Sequence, residues 1–410
     1  MPPPHGCRIV IRVLRTPRFA LLFGAQVSSL TATGLLTVAI ALIAVELEPA
    51  QASAVIATAL TIRIGVYVVV SPIASAVLAG RSSRAVLVAA DAVRVSVAVA
   101  LVGVSAPWQL YLGIGVLQIA SAVFTPTYQA VIPRVLPNER DYTAAQSLSR
   151  LAYDLESLLS PPLAAGLVLV LPVSAVFGVT GAGFALSAIA VFAVGALGRV
   201  GAPAEPLRRR LGVGLAVLTR TPGPRLAAVL DGATAAVYAT VLVLTVVIVQ
   251  GDGVDATAPR LALALLAFGA GSVAVALLLA WLLRRMTDVA VMRSGATLAA
   301  VALAATGAVS ALDSLSLAAV LVLWFVLGAA SSAISTPSAR LIRREVLPER
   351  HAATFAARFS TSHAWYALTY PAAGVIAAQL TPAFALIALA VVASAVVVAA
   401  IPMEVEGRRG

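Results

Sequence analysis

The chain has 410 residues, of which 61% are hydrophobic and 11% charged, with a mean hydropathy of +1.01. A single soluble core stops growing at roughly 250–300 residues, so so apolar a chain reads as a polytopic helical membrane protein with spans of about 20 residues. A formal charge of +11 would point a soluble protein toward nucleic acid, but here its distribution along the chain argues for membrane orientation and against a nucleic-acid partner.

Residues 1–17 form a basic lead, and the first apolar run, 18–45, is too long for a signal-peptide core and counts as a span. Further spans are predicted at 53–79, 85–105, 108–133, 143–170 and 173–197. Residues 198–224 are the longest polar break, and within it Leu207–Leu218 reads as a basic amphipathic helix suited to an anionic membrane surface. Six more spans follow, at 225–250, 259–283, 289–311, 315–342, 350–379 and 382–402. The expected fold is all-α, with twelve membrane helices in two pseudo-symmetric six-helix bundles, 1–197 and 225–410, joined by the linker 198–224. Two echoes support a duplicated plan. Ser121-Ala-Val-Phe-Thr-Pro126 returns as Ser332-Ala-Ile-Ser-Thr-Pro337, and Val135-Leu-Pro137 returns at the same displacement as Val346-Leu-Pro348.

The chain has no lysine, and with these spans every arginine except Arg63, Arg150 and Arg260 falls on one side of the membrane or at the helix ends there. Glu46, Glu48, Asp252, Asp255 and Asp313 fall on the other. The positive-inside rule then places both termini in the cytoplasm of a multi-pass protein of the cell (inner) membrane.

Polar residues cluster on particular spans. Gln26, Ser29, Thr33 and Thr37 share a face of the first span, and Tyr111, Gln118, Ser121, Thr125 and Tyr128 a face of the fourth. The seventh carries Asp231, Thr234, Tyr238 and Thr245, and the tenth Ser331, Ser335 and Ser338. In hydrocarbon such stripes face protein or water, which puts spans 1, 4, 7 and 10 around a central cavity and 3, 6, 9 and 12 against lipid. Alternatively the hydroxyls bond only their own backbone or a neighbouring helix.

Twelve spans in two repeated halves resemble the major facilitator superfamily, and local motifs agree. Pro72, Ala74, Leu78, Ala79, Arg81, Arg84, Asp91 and Arg94 fit that superfamily's pattern between helices 2 and 3, PLAGxLADRxxRR followed by an Asp and an Arg. Ser75 stands where the pattern has glycine and Gly80 where it has aspartate. Pro126, Ala130, Pro133 and Pro137 match the PxxxAxxPxxxP sequence of the drug-antiporter branch that includes macrolide- and enterobactin-type exporters. Phe23, Gln26, Ser29 and Leu30 resemble its first helix, with Thr31-Ala32 in place of Gly-Asp. The resemblance implies a conformational latch at Arg81, Arg84, Asp91 and Arg94, weakened by Gly80, with Asp91 as the obvious partner of the two loop arginines.

Charges inside spans cost about 2.5–3.5 kcal/mol each on insertion scales, so they need partners. Arg150 and Asp154, four apart on the fifth span, can pair along one helix face, which leaves Glu156 to Arg63 or to the cavity. Asp154, Glu156 and Asp231 are candidates for taking up and releasing a proton; the alternative for each is a fixed structural brace. His363 reads as a proton shuttle or a hydrogen-bonded packing residue, and Pro161-Pro162 and Pro371 as hinges or static kinks. Without lysine there is neither a Walker A loop nor a Schiff-base site. The single cysteine, Cys7, and three scattered histidines offer no metal site, and neither HExxH nor GxSxG is present. No enzyme activity, metal or cofactor is expected.

The expectation is a monomeric secondary transporter that exports a hydrophobic or amphipathic small molecule by alternating access, coupled to protons. A sugar or organic-anion importer would display several charges in its cavity. Uptake of a small metabolite is the alternative within the class, and a non-transporting sensor or assembly protein on the same fold the alternative outside it.

Overall fold

The computed structural model describes residues 12–47, 52–168, 170–200, 207–249, 254–312 and 315–403. The first half contributes α1 (Pro17–Leu47), α2 (Ala52–Val77), α3 (Ser83–Leu101), α4 (Pro107–Val135), α5 (Glu139–Val168) and α6 (Val173–Ala193). A shorter basic helix, α7 (Leu207–Arg220), occupies the predicted linker. The second half contributes α8 (Pro222–Ala239), a π-helical turn (Thr240–Leu244) running into α9 (Thr245–Ile248), α10 (Val254–Leu282), α11 (Asp288–Ala311), α12 (Leu317–Glu345), α13 (His351–Gln379) and α14 (Pro382–Ala400). Every predicted span is helical. Among the described residues, eight helices are long and apolar enough to cross a membrane, and no strand is formed.

Local chemistry sets the helix ends. Ser82, Thr287, Ser316 and Thr381 cap α3, α11, α12 and α14, each accepting a backbone N–H three residues on. Gly80, with φ +84°, adopts the left-handed conformation just after α2 and donates its N–H to Val200 O at 2.5 Å. Glycine meets no steric cost at this φ, so the departure from the motif at this position suits the turn. The departure in span seven is different. Its π-turn shifts Thr245 so that its hydroxyl bonds Val241 O at 2.7 Å and accepts Trp324 Nε1 at 2.9 Å.

Within the first half, α1 and α3 pack on α6, and α3 and α2 pack on α4. Within the second, α12 packs on α10, α11 and α8, and α14 on α11 and α8. The halves meet where α2 and α4 touch α13 and where α5 touches α10 and α12, while α7 lies on α13, α8 and α2. As expected, α6 and α14 are largely exposed, each 39% buried. Contrary to the lipid-facing expectation for span nine, α11 is 56% buried, the same as α4, because it is held between α12 and α14. Several hydroxyls of the polar stripes bond their own helix four residues back, namely Thr33 to Ser29 O, Thr37 to Thr33 O and Ser121 to Leu117 O.

One close helix contact is reciprocal. A Cβ at Gly271 would lie 1.8 Å from Phe325 O, and one at Gly328 would lie 1.9 Å from Phe268 O. Only glycine lets α10 and α12 approach so closely. Gly271→Ala should therefore lower stability by about 1–3 kcal/mol. Gly269→Ala, two residues away in open space, should leave it unchanged or slightly raised. Thermal unfolding of the purified variants in detergent checks this; equal effects at the two positions would refute the close approach.

Candidate functional site

A cavity of about 170 Å³ lies between the halves, in the part of the helices nearest the basic loops. From the first half it is lined by Gln26 of α1, Tyr128 and Gln129 of α4, and Gln146, Ser149, Arg150 and Tyr153 of α5. From the second come Asp231 and Thr234 of α8, Ser335 and Thr336 of α12, and Phe355, Arg358, Phe359 and Tyr366 of α13. Gln26 is fixed by accepting from Tyr128 Oη at 3.1 Å and Ser149 Oγ at 2.8 Å.

Among the described residues, two arginines and one aspartate line this space. Arg358 makes a two-pronged pair with Asp231, Nε to Oδ2 at 3.0 Å and Nη2 to Oδ1 at 2.7 Å. Sequence reasoning had grouped Arg358 with the anchoring arginines at the helix ends. The structure corrects this: it lies two turns inside α13, as Arg150 lies well inside its repeat counterpart α5. Arg150 reaches across to the second half, donating to Tyr238 Oη at 2.6 Å, Ser331 Oγ at 3.2 Å and Ser272 Oγ at 3.2 Å. The side chain of Asp154 lies outside the described residues, so its expected pairing with Arg150 does too. Glu156 lies in the field of Arg63, which donates to Thr37 Oγ1 at 3.3 Å. A Cβ at Gly34 would fall 2.7 Å from Glu156 Oε1, so glycine there makes room for the carboxylate.

Of the residues expected in the cavity, Gln26, Thr234 and Ser335 line it, and Tyr238 and Ser331 support it through Arg150. Ser29 lies behind it, accepting from Arg94 Nη1 at 2.9 Å. Thr33 and Ser121 bond their own backbone, Tyr111 packs into the first-half core, and Gln118 and Thr125 do not line the cavity. On α4 the lining begins at Tyr128, nearer the basic loops than those residues. On α5 the lining residues Gln146, Ser149, Arg150 and Tyr153 fall at three- and four-residue steps on one face, of which the sequence reading singles out only Arg150.

The halves are joined on both sides of the cavity. Toward the basic loops, Arg340 donates to Glu139 Oε1 at 2.7 Å and to Thr143 Oγ1, crossing from α12 to α5. Arg340 and Arg344 also share Asp288, at 2.7 and 2.8 Å, in the first turn of α11, where the helix dipole favours an acid. Arg344 reaches Glu139 as well, at 2.9 Å, and Arg343 donates to Pro137 O. Toward the opposite end, the bonds of Arg150 to Tyr238 and Ser331, each one turn beyond the lining residues Thr234 and Ser335, join the halves, and at the level of the cavity Tyr67 of α2 packs edge-on against Phe359 and His363 of α13, with centroids 4.9 and 4.6 Å apart. His363 Nδ1 lies 2.7 Å from Phe359 O, which places it in packing.

The expected latch residues sit elsewhere. Asp91 and Arg94 form a fully buried pair inside the first half, closed by Ser187 Oγ at 2.8 Å and by Phe124 and Phe184 on the guanidinium. Asp91 is thus occupied, and among the described residues neither Arg81 nor Arg84 pairs with it. Arg84 stacks on Phe192, and the loop at Gly80–Ser83 bonds the segment 198–200 that Arg134 also holds. Breaking this pair should cost about 3–5 kcal/mol in Arg94→Gln, which strands a buried carboxylate. The neutral double variant Asp91→Asn/Arg94→Gln should recover much of that loss in detergent unfolding. Equal losses would contradict an ionic role.

No protein-family model matches the chain, and no curated protein sequence does. Solved structures match nearly end to end. The human organic anion transporter MFSD10 (TETRAN) aligns over 97% of this chain and 100% of its own, with a TM-score of 0.77 and 12% identity. A POT family transporter crystallised with a thioalcohol-conjugated peptide aligns over 93% and 94%, with a TM-score of 0.69 and 12% identity. The chain is therefore a multi-pass, all-α protein with the major facilitator fold that its motifs implied.

Proposed function

We propose that the protein is a secondary active transporter that moves a small organic molecule across a cell membrane by alternating access. The observation that carries this reading is the cavity, lined by both halves, with ionic contacts between the halves toward the basic loops and the bonds of Arg150 to Tyr238 and Ser331 one turn beyond it. Opening one set while the other holds would expose the cavity to one side at a time. Both structural neighbours are described as transporters, which supports the reading.

The further proposals are proton coupling, export, a monomer, and an inner-membrane location with both termini cytoplasmic. In this reading 1–197 and 225–410 are the two moving six-helix bundles. Glu139, Arg340, Arg344 and Asp288 latch the cytoplasmic side, and Asp91, Arg94, Arg81 and Arg84 brace the first bundle. Glu156 carries the proton: when protonated it no longer answers the charge of Arg63 on α2. The drug-antiporter motifs support export. One observation favours the alternative of metabolite uptake: the cavity holds Arg150, Asp231 and Arg358 where few charges were expected.

Cellular accumulation of labelled antibiotics, dyes and metabolites, with and without an uncoupler, separates these readings. Cells expressing the protein should hold several-fold less of a substrate than control cells. Uncoupler and Glu156→Gln should each abolish the difference. Raised accumulation would mean uptake, and no difference across the panel would favour a non-transporting role.

A further inference from the structure

We infer that the cavity is an organic-anion site in which Arg358 takes the anionic group of a small, flat or branched carboxylate. The inference rests on the cavity being the substrate site. Three features of its lining support it.

The first is the unused edge of a positioned guanidinium. Asp231 occupies Nε and Nη2 of Arg358 and so orients the fork. A guanidinium carries five N–H donors in one plane, and Nη1 of Arg358 has no protein partner among the described residues. The side chain lines the cavity and is 16% exposed, so this edge is open to a ligand. Planar two-oxygen anions suit it best.

The second is a pair of orphaned hydroxyls. Thr234 and Thr336 line the same cavity, each is only 3% exposed, and among the described residues the Oγ1 of each lacks a hydrogen-bond partner. Buried polar atoms are nearly always satisfied, and neither threonine uses the usual bond to its own helix. Both can donate to a bound anion.

The third is shape. Phe355, Phe359 and Tyr366 of α13 give the cavity an aromatic wall. Its volume of about 170 Å³ is below the roughly 300–1,000 Å³ of drug-sized pockets.

The probes are benzoate, benzamide and benzylamine, which share one ring and differ in charge. Each is titrated into the purified full-length protein in detergent, with thermal shift and calorimetry as readouts. Benzoate should bind at least about tenfold tighter than benzamide, the margin of a charge-assisted over a neutral hydrogen bond, and benzylamine should not bind. Asp231→Asn/Arg358→Gln removes both charges without stranding either, and should bind benzoate no better than benzamide. Thr336→Val, close to the same shape, should weaken benzoate several-fold. The inference is overturned if benzoate does not bind, if benzamide or benzylamine matches it, or if the double variant keeps the preference. Benzoate that binds but is not moved by proteoliposomes would keep the anion site and remove the transport reading. Transport of other compounds without an anion preference would do the reverse.

Discussion

An ionised group inside an apolar helix bundle must find its partner there, because water is not available to solvate it. That constraint organises this structure. Asp91 and Arg94 satisfy it within one half, and Asp231 and Arg358 within the other. Arg340 meets Asp288 in its own half and Glu139 in the other, and Arg150 reaches from the first half to Tyr238 in the second. The first two pairs hold bundles together; the last two set how the bundles meet.

The contacts across the seam differ in kind on the two sides of the cavity. Near the basic loops they are ionic and partly exposed, with Glu139 42% exposed, and such pairs are held weakly and are easily exchanged for water. Toward the other end they are hydrogen bonds from Arg150 to Tyr238 and Ser331. Two dissimilar seals around one cavity fit a molecule in which either can yield without the other. The π-turn of Thr240–Leu244, next to the Arg150 partner Tyr238, puts an irregular helix at the same seam.

Much of the fold was legible in the sequence because bilayer thickness sets helix length and charge sets helix ends. The all-α character and the amphipathic helix at Leu207–Arg220 could be read for the same reason, from hydropathy. The site was legible only in part. Gln26, Asp231, Thr234 and Ser335 stood out as polar residues in apolar runs, and all line the cavity. Stripe periodicity failed on α4, where Ser121 turns its hydroxyl back to Leu117 O, because a threonine or serine in a helix can satisfy itself locally. Arg358 was passed over because an arginine two turns from a basic loop looks like an anchor. Only its partner Asp231, 127 residues away in the chain, reveals its role. Likewise the latch pattern was recognised between helices 2 and 3. The charged crossing between halves instead uses an aspartate at the start of α11, Asp288, behind Arg340 and Arg344.

The central claim is that the two seals alternate. The most direct test is the distance between spin labels at Arg140→Cys and Arg350→Cys, exposed positions of opposite halves at the basic end, in a Cys7→Ser background. Introducing Glu139→Gln and Asp288→Asn should shift this distance to longer values. In the same variant, labels at Val170→Cys and Leu312→Cys on the opposite end should move closer together or stay in place. Distances unchanged at both ends, or lengthening together at both, would contradict alternation.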